Sequence, residues 1–406
     1  MRARRPTRFL AAAACLLAFA GIARADEPPY VVGALYFGSF APSAKELAAG
    51  TERVYGRKGD WWGGVRDFHG DTGVKQDSRG WSGDFSHLKP AIGYYDQSST
   101  ATLEQHIRQA SDAGLAFFGF YFYWSRAKDG ERQPEALHSF LAARNPSKLR
   151  FNLVLYSHPW DDDMAVAGDG YDALARKLAG YFADDRYLRL PDGRPVFVIG
   201  DSGNLRAPDG SRCNSDACNA LAADRLVDAI DRAAGAQGTK APFVQVQAGA
   251  RGWKLMKRVQ GVMCAVPPFT VGPSTAYPRF EPSVFADLAS LGKPVSACML
   301  DNFDERPRQD IAIAERGMVR RLVGKSDEAF LHNLSAARRF SDEAYARDHD
   351  PSERIVYLYA WNEWHEGGIL EPNAATGAHE LDLVSKAFGL PRKPSPCLDQ
   401  GRCVTP

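Results

Sequence analysis

The chain lacks the short motifs of the commonest enzyme classes. No G-x-G-x-x-G follows its first apolar β-run, so a dinucleotide fold has no phosphate-binding turn. It has no phosphate-loop motif, and no G-x-S-x-G elbow that would expose a nucleophilic serine. His365 has no second histidine at zincin spacing, and Asp161-Asp162-Asp163 lacks the loop spacing of a calcium hand. Neither metal nor cofactor is expected. Net charge is only +1, without the basic excess of a nucleic-acid binder. Low-complexity linkers and internal repeats are missing, and glycine and proline are spread evenly, which favours one domain.

Long apolar runs are also scarce. Only the N-terminus has one, from Phe9 to Ile22, after Arg2, Arg4, Arg5 and Arg8 and before Ala23-Arg24-Ala25. A basic start, a short apolar run and a small-x-small site describe a secretory signal peptide over residues 1–25. Its loss removes five arginines and no acids, leaving a slightly acidic chain. The run is short for a membrane span, and no later stretch reaches about 18 apolar residues, so no stable membrane insertion is expected after cleavage. Lipidation at Cys15 is the anchored alternative, and Arg4-Arg5 leaves twin-arginine export open. Six cysteines then remain: Cys213, Cys218, Cys264, Cys298, Cys397 and Cys403. Without a CxxC pair they read as disulfides in an oxidising compartment, periplasmic or extracellular. Cys213–Cys218 and Cys397–Cys403 would close small loops, and Cys264 and Cys298 end successive predicted strands. Sequence alone does not choose among the pairings.

From Tyr30 onward, short continuous apolar β-runs alternate with helical patterns. Strands are expected at Val31–Phe37, Ala116–Tyr121, Phe151–Tyr156, Pro195–Ile199, Phe243–Gln247, Gly261–Val266, Val295–Leu300 and Ile355–Tyr359. Continuous rather than alternating hydrophobicity marks strands covered on both faces. Helices are expected at Thr102–Ala113, Gln133–Ala143, Tyr171–Ala183, Asn219–Ala234, Pro282–Leu291 and Asp327–Phe340. Eight such units predict an α/β fold, a single (β/α)8 TIM barrel with a long aromatic-rich loop after strand 1; a doubly wound sheet is the runner-up. The barrel domain is expected over residues 26–390, with 391–406 as a C-terminal tail closed by a disulfide. The long loop, Gly38 to Ser99, reads equally as a hydrophobic plug or a substrate-binding loop.

Active sites of barrels lie where strands end, and here the strand ends are aromatic. Tyr36 closes the first, Tyr121, Tyr123 and Trp124 the second, and His158 and Trp160 follow the third. Tyr94, Tyr95 and Asp96 precede the first helix, and Trp62 lies in the long loop. Aromatic planes mixed with acids suit sugar rings, whose C–H faces stack while hydroxyls meet carboxylates. The last strand opens into Trp361, Asn362, Glu363, Trp364, His365, Glu366 and, after two glycines, Glu371. Glu363 and Glu366 share a face if helical, or are aimed together by a tight loop. Glycoside hydrolysis needs such a pair, one carboxyl donating a proton to the leaving oxygen and one assisting attack.

Asn362-Glu363-Trp364-His365-Glu366-Gly367 resembles the signature of glycoside hydrolase family 99, the endo-α-mannosidase and endo-α-mannanase family. Ala360-Trp361-Asn362-Glu363-Trp364 with Leu370-Glu371-Pro372 resembles the related WbsX-like family of polysaccharide-locus proteins. Trp61-Trp62-Gly63, Gly93-Tyr94-Tyr95-Asp96, Phe120 to Trp124, Asp185 to Leu188, Gly193-Arg194-Pro195, and Asp301-Asn302 with Arg306-Pro307-Arg308 extend that likeness in order along the chain. Two features depart from pattern. Tyr156-Ser157-His158-Pro159-Trp160 stands where WbsX-like proteins carry a Trp-Ala-Asn-Glu-like segment, and Leu370-Glu371-Pro372 differs from the mannosidase form.

The resemblance implies a metal-free barrel that cleaves α-linked glycans with retention. It implies Glu363 as the base toward the substrate's 2-hydroxyl and Glu366 as the acid/base. Substrate contacts are expected from Tyr36, Trp62, Tyr94, Tyr95, Asp96, Tyr121, Tyr123, Trp124, His158, Trp160, Asp301, Asn302, Trp361, Asn362, Trp364, His365 and Glu371. The partner is then a polysaccharide or oligosaccharide. A glycosyltransferase of polysaccharide assembly and a non-catalytic carbohydrate-binding barrel are the alternatives.

Overall fold

The computed structural model describes residues 29–41, 62, 65, 89–266, 270–308 and 317–399. The N-terminal segment read as a signal peptide, Trp61, Trp81, most of the long loop and Cys403 lie outside them.

Eight parallel strands close on one another: β1 (Val31–Tyr36), β2 (Phe117–Ser125), β3 (Arg150–Tyr156), β4 (Val196–Asp201), β5 (Phe243–Gln247), β6 (Gly261–Met263), β7 (Val295–Leu300) and β8 (Ile355–Tyr359). Each pairs with its neighbour in sequence, and β1 pairs with both β2 (Gly33↔Phe117) and β8 (Val31↔Ile355), which completes the barrel. All eight expected strands form, and the open sheet is excluded. β2 runs on past the barrel to pair antiparallel with Gly130–Arg132.

Helices α1 (Thr100–Asp112), α2 (Glu135–Ala142), α3 (Gly170–Phe182), α4 (Asp216–Ala236), α5 (Asp327–Asp348) and α6 (His379–Phe388) pack their apolar stripes on the outside. Three expectations need correction. The strand from Gly261 stops at Met263, short of its expected end at Val266, although the Cys264 amide still donates to the Ser296 carbonyl of the next strand. Pro282–Leu291 is a 3₁₀ turn followed by one short turn of helix, Ala286–Ala289, with i→i+3 bonds at both ends. α6 was not expected; its N-cap is Ala378, which offers no side-chain acceptor to announce the helix.

The barrel interior is not wholly apolar. Asn152 on β3 donates to the Tyr357 hydroxyl at 3.2 Å, and Tyr357 to Gln245 Oε1 at 3.1 Å. Gln245 donates to Ser296 Oγ at 2.7 Å, and Ser296 to the Ser352 carbonyl at 2.7 Å. Four strands are thus joined by one fully buried hydrogen-bonded line, and mutual pairing keeps its desolvation tolerable.

Disulfides join Cys213 to Cys218 and Cys264 to Cys298, with Cα–Cα separations of 5.2 and 5.6 Å. Cys397 is also disulfide-bonded. Among the described residues no helix is long and apolar enough to cross a membrane.

Candidate active site

Beyond β8 the chain folds into a small hairpin. Asn362 and Glu363 pair antiparallel with Ile369 and Gly368, and the Glu366 N–H donates to the Glu363 carbonyl at 3.0 Å. Glu363 and Glu366 are therefore the two ends of a tight turn rather than members of a helix. Gly367 closes it at φ +77°, where a Cβ would also lie 2.9 Å from the Asp304 amide. At Gly368 a Cβ would strike the Tyr359 ring at 2.6 Å. That ring must pass close, since its hydroxyl donates to Glu366 Oε2. The Tyr359–Ala360 peptide is cis.

Glu363 is 7% exposed and Glu366 half-buried. Three strand-end tyrosines surround them: Tyr121, Tyr156 and Tyr359. Burial pushes all three phenols well above their ordinary pKa, and the fields of Glu363 and Glu366 add to it. They stay neutral beside the acids, and Tyr359 donates to Glu366. Arg320, paired through two hydrogen bonds with buried Glu305, feels the charge of Glu366 from the β7 side.

The hairpin is held from beneath by buried polar contacts. Asn362 exchanges two 2.9 Å hydrogen bonds with the Phe37 backbone at the end of β1. The Trp364 indole and the Tyr95 hydroxyl donate to Glu371 Oε2 at 2.9 and 2.8 Å. His106 on α1 places Nε2 3.0 Å from Glu371 Oε1, while its Nδ1 shares a 2.8 Å hydrogen bond with Tyr36. From the other side the Asp304 amide donates to the Glu366 carbonyl at 2.6 Å. Asp301 receives the Ile369 amide and pairs with Lys325. Burial raises the Asp301 carboxyl to about 6 although Lys325 works against the rise.

The model of the family described as Glycosyltransferase WbsX matches residues 57–384, most of the chain. The chain belongs to the WbsX family. This bears out the likeness read from its motifs. A WbsX-family chain thus forms a closed (β/α)8 barrel with a carboxylate turn after its last strand. The uncharacterized protein WxcX of Xanthomonas campestris pv. campestris (strain B100) is 26% identical over 95% of this chain. The match takes in 53% of WxcX, so this chain spans about half the length of that relative. Among solved structures, a glycoside hydrolase-like protein aligns over 91% of this chain and 95% of its own, at TM-score 0.54 and 14% identity. A GH99 endo-alpha-mannosidase from Bacteroides thetaiotaomicron aligns over 88% and 95%, at TM-score 0.47 and 14% identity. The first of these likenesses supports the barrel fold.

The residues singled out from sequence lie in several places around the turn. Tyr36, Trp62, Tyr95, Trp361, Asn362, Trp364, His365 and Glu371 are buried in the layer under and around the turn, and Trp124 is buried in the β2 extension opposite Glu131. Asp301 is buried behind the hairpin. Tyr121, Tyr123 and His158 are half-buried at the mouth, and Trp160 is open to solvent. Tyr94 packs on Trp62, and Asn302 is half-buried just past β7. Asp96 accepts from the Ser98 amide and hydroxyl, shaping the turn into α1.

Sequence reasoning missed Tyr156, Tyr359, Asp201, Gln247 and His106. The first two end strands, as the chosen aromatics do. Asp201 extends β4 two residues past its expected end, and bonds His158 Nδ1 at 2.9 Å. Gln247 ends β5 and accepts the Tyr156 hydroxyl at 2.8 Å. His106 had only its place on the apolar face of α1 as a signal.

Proposed function

We propose that this protein is an exported retaining glycoside hydrolase that cleaves α-linked bonds in a polysaccharide or glycan. The observation that carries the reading is the Glu363–Glu366 turn, two acids fixed on one tight loop among neutral tyrosines at the barrel mouth. The likeness to family 99 supplies the roles. Glu363 takes the proton of the substrate's 2-hydroxyl, and that oxygen attacks the anomeric carbon as the bond to the leaving oxygen breaks. Glu366 protonates the leaving oxygen. In the second half Glu366 takes a proton from water, the water oxygen bonds the anomeric carbon as that carbon's bond to the 2-oxygen breaks, and the 2-oxygen recovers its proton from Glu363. The close spacing suits this route, because neither acid has to reach across the ring as a nucleophile. Tyr359 holds Glu366, and Asn362, Trp364 and Glu371 position the turn from below. The disulfides and the N-terminal segment support export.

Purified protein screened against defined polysaccharides, with the product anomer read by NMR, tests this. Glu363→Gln and Glu366→Gln are each expected to abolish cleavage while keeping the fold. Wild-type cleavage in both variants sinks the proposal.

The family's description favours a second reading, a glycosyltransferase of polysaccharide assembly. It requires product formation that depends on a sugar nucleotide. Absence of sugar-nucleotide binding in calorimetry removes it.

A further inference from the structure

Aromatic rings step from the Glu363–Glu366 turn to the protein surface in one continuous line. Ring centres of Tyr121 and Tyr156 are 5.0 Å apart, those of Tyr156 and His158 5.4 Å, and those of His158 and Trp160 4.4 Å. Tyr123 flanks the middle of the line, 6.4 Å from Tyr156 and 6.3 Å from His158. The inner end lies in the field of both carboxylates. Trp160, at the outer end, is 70% exposed.

A large apolar ring left in water calls for an explanation when its surroundings are built to keep it there. The Trp160 indole lies flat on His158, with 11° between the planes. His158 is fixed by its 2.9 Å bond to Asp201. Asn204 donates to the Asp161 carbonyl at 2.6 Å, Arg212 to the Pro159 carbonyl at 3.0 Å, and Arg206 to Asp162 at 2.8 Å. The loop is pinned on both sides of Trp160, so ordering it on binding costs little entropy. One indole face rests on the imidazole, and the other stays open. Arg206 and Arg212 are both paired with Asp162, which disfavours a phosphate as the occupant. A rigid open aromatic face with hydrogen-bonding groups at its border suits the C–H face of a pyranose.

We infer that Trp160 and His158 form a distal sugar subsite. The substrate is then a chain, one ring stacked on Trp160 while a bond further along lies at Glu363 and Glu366. The assignment rests on reading those two acids as the cleavage site. It restricts the substrate class to oligomers long enough to follow the aromatic line, and makes monosaccharide glycosides poor ligands.

Affinity electrophoresis tests this. The non-cleaving Glu363→Gln/Glu366→Gln protein is run through gels containing soluble α-mannan, α-glucan or α-rhamnan. Retardation is expected in at least one gel. Trp160→Ala added to that protein should weaken it about tenfold or more, with Trp160→Phe retaining most of it. Methyl α-mannoside, methyl α-glucoside and methyl α-rhamnoside should not compete. Equal retardation of the Trp160→Ala protein, or no retardation in any gel, overturns the subsite. Cleavage by the protein with both glutamates intact is scored separately. A Trp160-dependent retardation without cleavage of the same glycan keeps the subsite and drops the hydrolase.

Discussion

His106 Nε2 stands 3.0 Å from Glu371 Oε1, and neither side chain is exposed at all. This contact ties α1, outside the barrel, to the strand end that carries the candidate acids. Glu371 is also the acceptor for Tyr95 and Trp364.

Glu371→Ala would leave two buried donors and an imidazole without their partner. It is expected to cost about 3–5 kcal/mol in urea unfolding. Glu371→Gln keeps an acceptor oxygen and the shape, and should cost less than half as much. Equal losses in the two variants would show that the packing of the side chain, rather than its polar contacts, holds the turn.

Tyr359→Phe removes the donor to Glu366 and leaves the ring that fits over Gly368. Cleavage should fall about tenfold or more, as for a displaced general acid, while the melting temperature shifts by only a few degrees. A large thermal loss with proportionate inactivation would instead make Tyr359 a packing residue.

At the opposite end of the barrel Glu353 is buried in the turn entering β8. Burial, then the charges of Asp348 and Asp350, raise it from 4.5 to about 7, and Arg347, 3.8 Å away, relieves this only in part. The folded state therefore binds the extra proton. Stability from this group is full below about pH 4.5 and declines as pH rises through 7. Glu353→Gln should flatten that decline, gaining on the order of 1–2 kcal/mol at pH 8. Parallel stability curves for the two proteins between pH 5 and 8 would count against it.

Cys264–Cys298 closes a separation of 34 residues and staples β6 to β7, whereas Cys213–Cys218 closes one of five. In the chain-entropy account the longer loop stabilises more. Replacing the Cys264 and Cys298 pair by alanine should lower the melting temperature clearly more than replacing the Cys213 and Cys218 pair. The reverse order would place the main constraint in the small loop.

The barrel was legible because each strand is a short apolar run that announces itself locally. The hairpin was less so: the Glu363 and Glu366 spacing fits a helix face as well as a turn, and Gly367 with Gly368 decides only once Asp304 and Tyr359 are seen beside them. The contact of His106 with Glu371 joins residues on distant elements, and α1's apolar periodicity gives it no separate mark. The same long-range pairing hid Asp201's hold on His158, and with it the reason Trp160 faces water.

The polar line from Asn152 through Tyr357, Gln245 and Ser296 to the Ser352 carbonyl has a consequence for traffic. It fills the barrel core with paired polar groups, so under the proposed function a glycan reaches the two acids from the strand-end side. A long chain bound there would then lie across the barrel's end rather than thread through it, with both of its ends on the same side of the protein.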